Sequence, residues 1–325
     1  MSAVLLFGIF FALLFLNVPI AMSLGVSSII TTMAVKPAMM STIAANLYSS
    51  TNTYVLLAIP FFILAGNIMD VSGISVRLIN FFNSLVGHTK HGTAMVCVIV
   101  ACFFAAISGS GPATVAALGG ILIPAMSKSG YEKDTSAALM STAGAIGIVI
   151  PPSITFVVYG SVTGTSVGDL FMAGIIPGIL IGVAIYFTMV ISSRGCNLVR
   201  QPKASGKERW KAFGDAVWGI LMPVIILGGI YGGIFTPTEA AAVSAIYGLI
   251  VGMFIYKTLR FKEIVVILRQ SVSQTAVVML IIGCAAVFGK VLTFTGLASD
   301  ASQGLISIAH GNKYTFLLMV NIILI

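Results

Sequence analysis

"ISGSGPATVAALGG", residues 107–120, decides the fold. It lies in apolar sequence of membrane-crossing type, yet residues 108–112 run Ser, Gly, Ser, Gly, Pro. Gly109 and Gly111 can adopt the left-handed conformation that ends a helix, and Pro112 suits the first position of the next one. The stretch therefore predicts helix, tip and helix, with Ser108, Ser110 and Thr114 supplying hydroxyls. The flanking apolar runs, 93–107 and 113–127, are about 15 residues each and fall short of the roughly 20 that a crossing helix needs. His88, Lys90 and His91 precede the pair, and Lys128 and Lys133 follow it. Basic residues at both ends place both ends on the cytoplasmic side, as expected of a re-entrant hairpin.

Composition sets the same frame. Apolar residues make up 58% of the 325-residue chain and charged residues only 8%, far below the roughly 25% charged of soluble domains. Apolar runs of helical length make this an all-α polytopic membrane protein. The net charge of +8 resides in loops, above all Arg194, Arg200, Lys203, Lys207, Arg209 and Lys211. That is the positive-inside pattern, without the aromatic interleaving of a nucleic-acid surface. The N-terminal run has no basic region or small-residue cleavage site and reads as a first span. Cys97, Cys102, Cys196 and Cys284 have no metal or redox spacing, and His88, His91 and His310 lie in polar flanks. No Walker motif is present, so ATP hydrolysis is not expected, nor is enzymatic activity or a resident cofactor.

Further spans are expected near 3–16, 19–35, 54–70, 134–165, 168–192, 214–232, 238–256 and 273–295, with another starting at 314. With the 194–211 loop cytoplasmic, 168–192 runs inward and 134–165 outward. Then 214–232 runs outward, 238–256 returns to Lys257, Arg260, Lys262 and Arg269, and 273–295 runs outward again.

A second break, "AGAIGIVIPPSITF" at 143–156, interrupts the span 134–165. Pro151 and Pro152 have no N–H, which leaves the carbonyls of Gly147 and Ile148 free. Free carbonyls at the negative end of a half-helix are hard ligands suited to Na⁺. The next half-helix presents its positive N-terminus, with Ser153 and Thr155 nearby, to an anion. Either break alone is compatible with a kink or a tight loop. Two breaks beside one small domain point to a binding site.

The chain also repeats. "GNIMDVSGI" at 66–74 matches "GKVLTFTGL" at 289–297 without gaps, pairing Gly66 with Gly289 and Gly73 with Gly296 at an offset of 223. "NVPIAMSLGVSSII" likewise resembles "FTPTEAAAVSAIYGLI". The paired spans run in opposite directions, as in an inverted-topology repeat. The offset places a partner of Ser108–Thr114 near position 330, so the sequence is expected to be a C-terminally truncated form with an incomplete second repeat.

Acidic residues have local explanations. Thr236 to Glu239 reads as a capping box with Pro237 first in its helix. Asp169 begins a helix, Asp70 lies near a span end, and Asn67 is placed for a helix–helix hydrogen bond. "SVRLINFFNSLVG", 75–87, is amphipathic and reads either as an interfacial arm or as the end of a long span.

Four stretches, "IPFFILAGNIMDVSGIS", "AAISGSGPATVAALGGILIPAM", "AGAIGIVIPPS" and "GIFTPTEAAAVSAIYG", resemble the large membrane subunit of tripartite ATP-independent periplasmic (TRAP) transporters, the DctM-like component, sialic-acid members in particular. The resemblance runs along the whole chain. It implies a bacterial inner-membrane importer driven by Na⁺ and working by an elevator mechanism. Its implied partners are a small membrane subunit, a periplasmic substrate-binding protein, a carboxylate solute and the lipid bilayer. Carried onto this chain, Na⁺ falls to Ser108, Gly109, Ser110, Gly111, Gly144, Gly147, Ile148 and Pro151. The solute falls to Ser108, Ser110, Thr114, Ser153 and Thr155, with Ser108 and Ser153 foremost.

The expected domains are scaffold helices and arm at 1–87, a transport domain at 88–165 and a connecting helix and basic loop at 166–213. A second scaffold and arm follow at 214–312, then the start of a second hairpin at 313–325. Competing readings are a stand-alone divalent-anion/sodium symporter, a C4-dicarboxylate TRAP transporter, a passive channel and an assembly scaffold.

Overall fold

Hydrocarbon offers no hydrogen bonds, so backbone at membrane depth must satisfy itself, and helices do so within one segment. The computed structural model describes residues 2–324, and every regular element among them is helical. In chain order these are α1 (Ser2–Phe15), α2 (Ile20–Val35), α3 (Met40–Thr51), α4 (Ala58–Val71), α5 (Ile74–Val86), α6 (Gly92–Ser108), α7 (Gly111–Lys128) and α8 (Lys133–Ala145). There follow α9 (Ile154–Thr163), α10 (Val167–Ser192), α11 (Gly206–Tyr231), α12 (Pro237–Ile250), α13 (Phe261–Phe294), α14 (Leu297–Ala309) and α15 (Lys313–Leu324). Among the described residues, five helical stretches are long and apolar enough to cross a membrane: Tyr54–Val71, Val167–Ser192, Gly206–Tyr231, Pro237–Ile255 and Phe261–Phe294. The last position of the expected second hairpin, Ile325, and the first of the chain, Met1, lie outside the described residues.

Three boundaries differ from the sequence reading. α3 is an additional helix, formed by a stretch that mixes apolar and polar residues with no apolar run of span length to announce it. α11 begins at Gly206, so Lys207, Arg209 and Lys211 ride on its opening turns instead of a loop. Ser205 nucleates it through a capping box with Glu208. α13 begins at Phe261 and runs for 34 residues, about 50 Å at 1.5 Å per residue, which takes Lys262 and Arg269 onto the helix.

The chain forms two compact units, residues 1–52 with 276–325, and residues 53–275. In the first, Leu6 of α1 packs with Phe288 and Val291 of α13, and Phe10 and Leu24 join them. In the second, α4 packs on α12, α5 on α11, and α6 against α7, α8 and α10. Its fully buried side chains include Phe62, Phe104, Ile107, Leu118 and Phe171.

α5 is a helix separate from α4, not the end of its span. Gly73 turns the chain out of α4 with φ +71°, a conformation that costs other residues about 1 kcal/mol or more. Arg77 then donates to the carbonyls of Gly73 (2.9 Å) and Ser72 (3.1 Å) and lies over the Tyr256 ring at 3.8 Å. Ile74, Leu78 and Ile79 form the buried face of the arm. In the other unit Gly296, at φ +81°, opens α14 in the same manner, and both helices have 13 residues.

Asn67 does link helices: its amide donates to Ser271 Oγ (2.9 Å) and Gln274 Oε1 (3.0 Å) on α13. The capping box of α12 is formed as expected. Glu239 Oε2 accepts from the Thr236 N–H and hydroxyl, both at 2.8 Å, and Thr236 Oγ1 accepts from the Glu239 N–H at 3.3 Å. Thr236→Ala is expected to cost about 1 kcal/mol of stability, read from thermal unfolding in detergent, while leaving transport unchanged.

Candidate functional site

Each break in the membrane-depth backbone leaves helix ends with unpaired groups. Here the two breaks close on each other. Gly109 ends α6 at φ +61°, donating its N–H to Ala105 O at 2.9 Å. Its carbonyl accepts from the N–H of Ile154, the first residue of α9, at 3.2 Å. The end of one half-helix thus pairs with the start of another across the site. The second crossing joins the start of α7 to the end of α8. A Cβ placed on Gly147 would lie 3.2 Å from Gly111 N and from the Ser110 carbonyl, so a side chain there would push the tip back by a few tenths of an ångström.

The tip hydroxyls face inward. Ser108 is 2% exposed and Thr114 is fully buried, with their oxygens 3.2 Å apart. The Ser110 carbonyl accepts from Thr114 Oγ1 (2.8 Å), Thr114 N (3.1 Å) and Ser108 Oγ (3.3 Å). Ser110 caps α7 through the Ala113 N–H. At the second break, buried Ser153 caps α9 by accepting from Phe156 N at 3.4 Å and donates to the Ile148 carbonyl at 2.5 Å. Ser108, Gly109, Ser110, Gly111, Thr114, Gly144, Gly147, Ile148, Pro151 and Ser153 are therefore gathered at the two facing breaks, while Thr155 is exposed on α9.

Three expectations require correction. Gly111 is not left-handed. It is the first residue of α7, and the left-handed turn belongs to Gly109 alone, because extended Ser110 already redirects the chain. Pro112 accordingly stands second in α7, not first. The Ile148 carbonyl is not free, because Ser153 supplies the donor that Pro152 lacks. For the Gly147 carbonyl, Pro151 has no N–H to offer.

The sequence reading missed a polar cleft of about 360 Å³ beside the hairpin, lined by Asn67 and Asp70 of α4, Ala113 and Ala116 of α7, and Gln270, Ser273 and Gln274 of α13. Its signal was the spacing of 270, 273 and 274, which puts three polar groups on one face of an apolar helix.

The hairpin base is tied as firmly as its tip. Thr93 and Ser129 hydroxyls meet at 2.9 Å, joining the two legs. The segment after α10 crosses over them: Val199 N donates to Ser129 O (3.0 Å), and Asn83 of α5 donates to Gln201 Oε1 (2.6 Å). Ser193 Oγ lies 3.2 Å from His91 Nδ1. Burial, aided by the Lys90 ammonium, holds the His91 pKa below its usual value, and burial pushes the Tyr131 hydroxyl beside it up to about 12. Both groups shift toward their uncharged forms, which suits a hydrogen-bonded joint.

Facing helix breaks inside a multi-pass helical protein are a feature of secondary transporters. The family model for the tripartite ATP-independent periplasmic transporter, DctM component, matches residues 7–325. The chain belongs to this family of inner-membrane, multi-pass TRAP permeases, which work with a periplasmic binding protein and a small membrane subunit. It is 38% identical over 339 residues to the C4-dicarboxylate TRAP transporter large permease protein of Rhodobacter capsulatus, covering 100% of this chain and 77% of that one. The corresponding protein of Pseudomonas aeruginosa is 43% identical over 303 residues, covering 93% and 71%. The sialic acid TRAP transporter large permease protein of Vibrio cholerae is 35% identical over 313 residues, covering 96% and 73%.

Proposed function

We propose that this permease imports an anionic carboxylate solute together with Na⁺, and that the facing breaks are the site that holds them. The observation carrying this is the crossed closure of the two breaks, Gly109 on Ile154 and Gly147 on the Ser110–Gly111 peptide, which gathers opposite helix ends at one place. The ends of α6 and α8 present carbonyls to a cation, and the starts of α7 and α9 present N–H groups to an anion. Gly147, with the backbone of Ser108, Gly109, Ser110, Gly111, Gly144, Ile148 and Pro151, would hold Na⁺; the Gly109, Ser110 and Ile148 carbonyls already accept hydrogen bonds from Ile154, Thr114 and Ser153 and serve it less. The donor set is all oxygen and carries no formal charge, which fits a hard monovalent ion that must also leave. The hydroxyls of Ser108, Ser110, Thr114 and Ser153, with exposed Thr155, would face the solute.

Relatives named for C4-dicarboxylates and for sialic acid both match nearly the whole chain, and their solutes share the carboxylate. The matched glycine turns before α5 and α14 support the inverted repeat. In this reading residues 88–165 form the moving part of an elevator, carried between scaffolds at 1–87 and 214–312 and joined through 166–213. Each net positive charge moved inward gains about 2.3 kcal/mol per 100 mV, enough to drive accumulation when Na⁺ outnumbers the charge on the solute.

The test is uptake into proteoliposomes holding the permease and its small subunit, supplied with the binding protein and either radiolabelled C4-dicarboxylate or sialic acid. Removing the Na⁺ gradient is expected to abolish accumulation of whichever solute is taken up. Undiminished accumulation without Na⁺ would refute the coupling, and uptake without the binding protein would indicate a stand-alone symporter.

A further inference from the structure

The start of α11 builds a pocket that the proposed transport site does not use. Phe81 of the arm α5 and Gly206, Arg209, Trp210 and Phe213 of α11 line a recess of about 270 Å³. The rings are in register: Phe81 and Phe213 have centroids 5.6 Å apart, and Trp210 meets Phe213 edge-on at 5.9 Å. Trp210 is 75% exposed, far more than a buried packing residue. Arg209 contributes the polar feature. Its Nε is buried and has no hydrogen-bond partner. A buried guanidinium N–H without an acceptor is costly, and arginine donors suit phosphate oxygens.

The neighbourhood selects for negative charge. Residues 200–215 hold Arg200, Lys203, Lys207, Arg209 and Lys211 against only Glu208 and Asp215. Glu208 is engaged in capping α11, where its Oε2 accepts from Ser205 N at 2.7 Å. An occupant must offer a phosphate or similar anion to Arg209 and apolar length to three aromatic rings. It must also reside at a membrane–water boundary, where tryptophan and basic residues concentrate.

We propose that this pocket binds an anionic phospholipid, with its phosphate on Arg209 and its apolar portion along Phe81, Trp210 and Phe213. The site lies on α5 and α11 and does not depend on the assignment of Na⁺ or solute.

The chain has two tryptophans, so Trp218→Phe leaves Trp210 as the single reporter. In phosphatidylcholine vesicles, brominated phosphatidylglycerol is expected to quench Trp210 at about fivefold lower mole fraction than brominated phosphatidylcholine. Arg209→Ala should remove that preference, and Lys207→Ala, on an exposed side chain, should keep it. Inorganic phosphate at millimolar concentration should not reverse the quenching. Equal quenching by the two lipids overturns the proposal. So does a preference that survives Arg209→Ala or is lost equally in Lys207→Ala, because a diffuse basic field would then explain it. Reversal by inorganic phosphate would show a small-anion site instead of a lipid site.

Discussion

Gly109→Val is expected to abolish uptake and to lower stability by about 3 to 5 kcal/mol, the sum of a left-handed penalty and one lost backbone bond away from water. The first part is conformational. At φ +61° any L-residue is strained, and a β-branched one most of all. The second is steric: even the first carbon of a side chain would stand 2.9 Å from the Pro152 carbonyl and 3.3 Å from Ile154 N. Both are backbone atoms, so the tip or the Pro–Pro segment must retreat. Retreat breaks the bond between Gly109 O and Ile154 N, leaving two groups unpaired at membrane depth. Gly120, on the same hairpin, has an ordinary helical backbone and nothing within 4 Å of its Cβ position. Gly120→Ala should therefore be neutral or slightly stabilising. Thermal unfolding and proteoliposome uptake of the two variants measure the contrast; a Gly109→Val protein that melts and transports normally would refute the interlocking of the breaks.

Ser153→Ala is expected to reduce uptake about tenfold and stability by about 2 kcal/mol, the upper range for a lost helix cap. One hydroxyl holds two otherwise orphaned groups, the N–H of Phe156 and the carbonyl of Ile148. Its removal frees both, one at the end of each half-helix. Ser153→Thr retains the oxygen and should retain most of the uptake. Ser108→Ala is expected to weaken uptake in the same direction. Glu239→Gln, in an exposed cap, should matter least of all, and a larger loss there than at Ser108 or Ser153 would place the solute elsewhere.

The hairpin, the broken span and the α12 cap were legible in the sequence because local chemistry makes them. Glycine admits a left-handed turn, proline removes a donor, and Thr-Pro-Thr-Glu carries its own cap. The helical start at Gly206 was hidden because positive charge marks sidedness, not the end of a helix. α3 escaped because its stretch interleaves polar and apolar residues and lacks a span-length apolar run. Ile148 was misjudged because the missing donor of Pro152 was counted, whereas the hydroxyl of Ser153, which replaces it, depends on how the segment folds back. The cleft at Asp70 needed α4, α7 and α13 side by side, which no single stretch encodes.

The strap over the hairpin base bears on where such a machine can bend. Residues 193–201 are bonded to His91 at the start of the hairpin, to Ser129 at its end and to Asn83 in the arm. In the proposed elevator a hairpin moving as one piece would carry this strap with it and pull, through Gln201, on Asn83 of α5. The first irregular backbone beyond it is 202–205, Pro-Lys-Ala-Ser, immediately before the capping box fixes α11. In the proposed elevator, any movement of the strap relative to α11 would fall on these four residues and on the packing of α5 against α11. In that reading shortening them would restrict the movement, whereas adding glycines there would lengthen the leash without touching the proposed site.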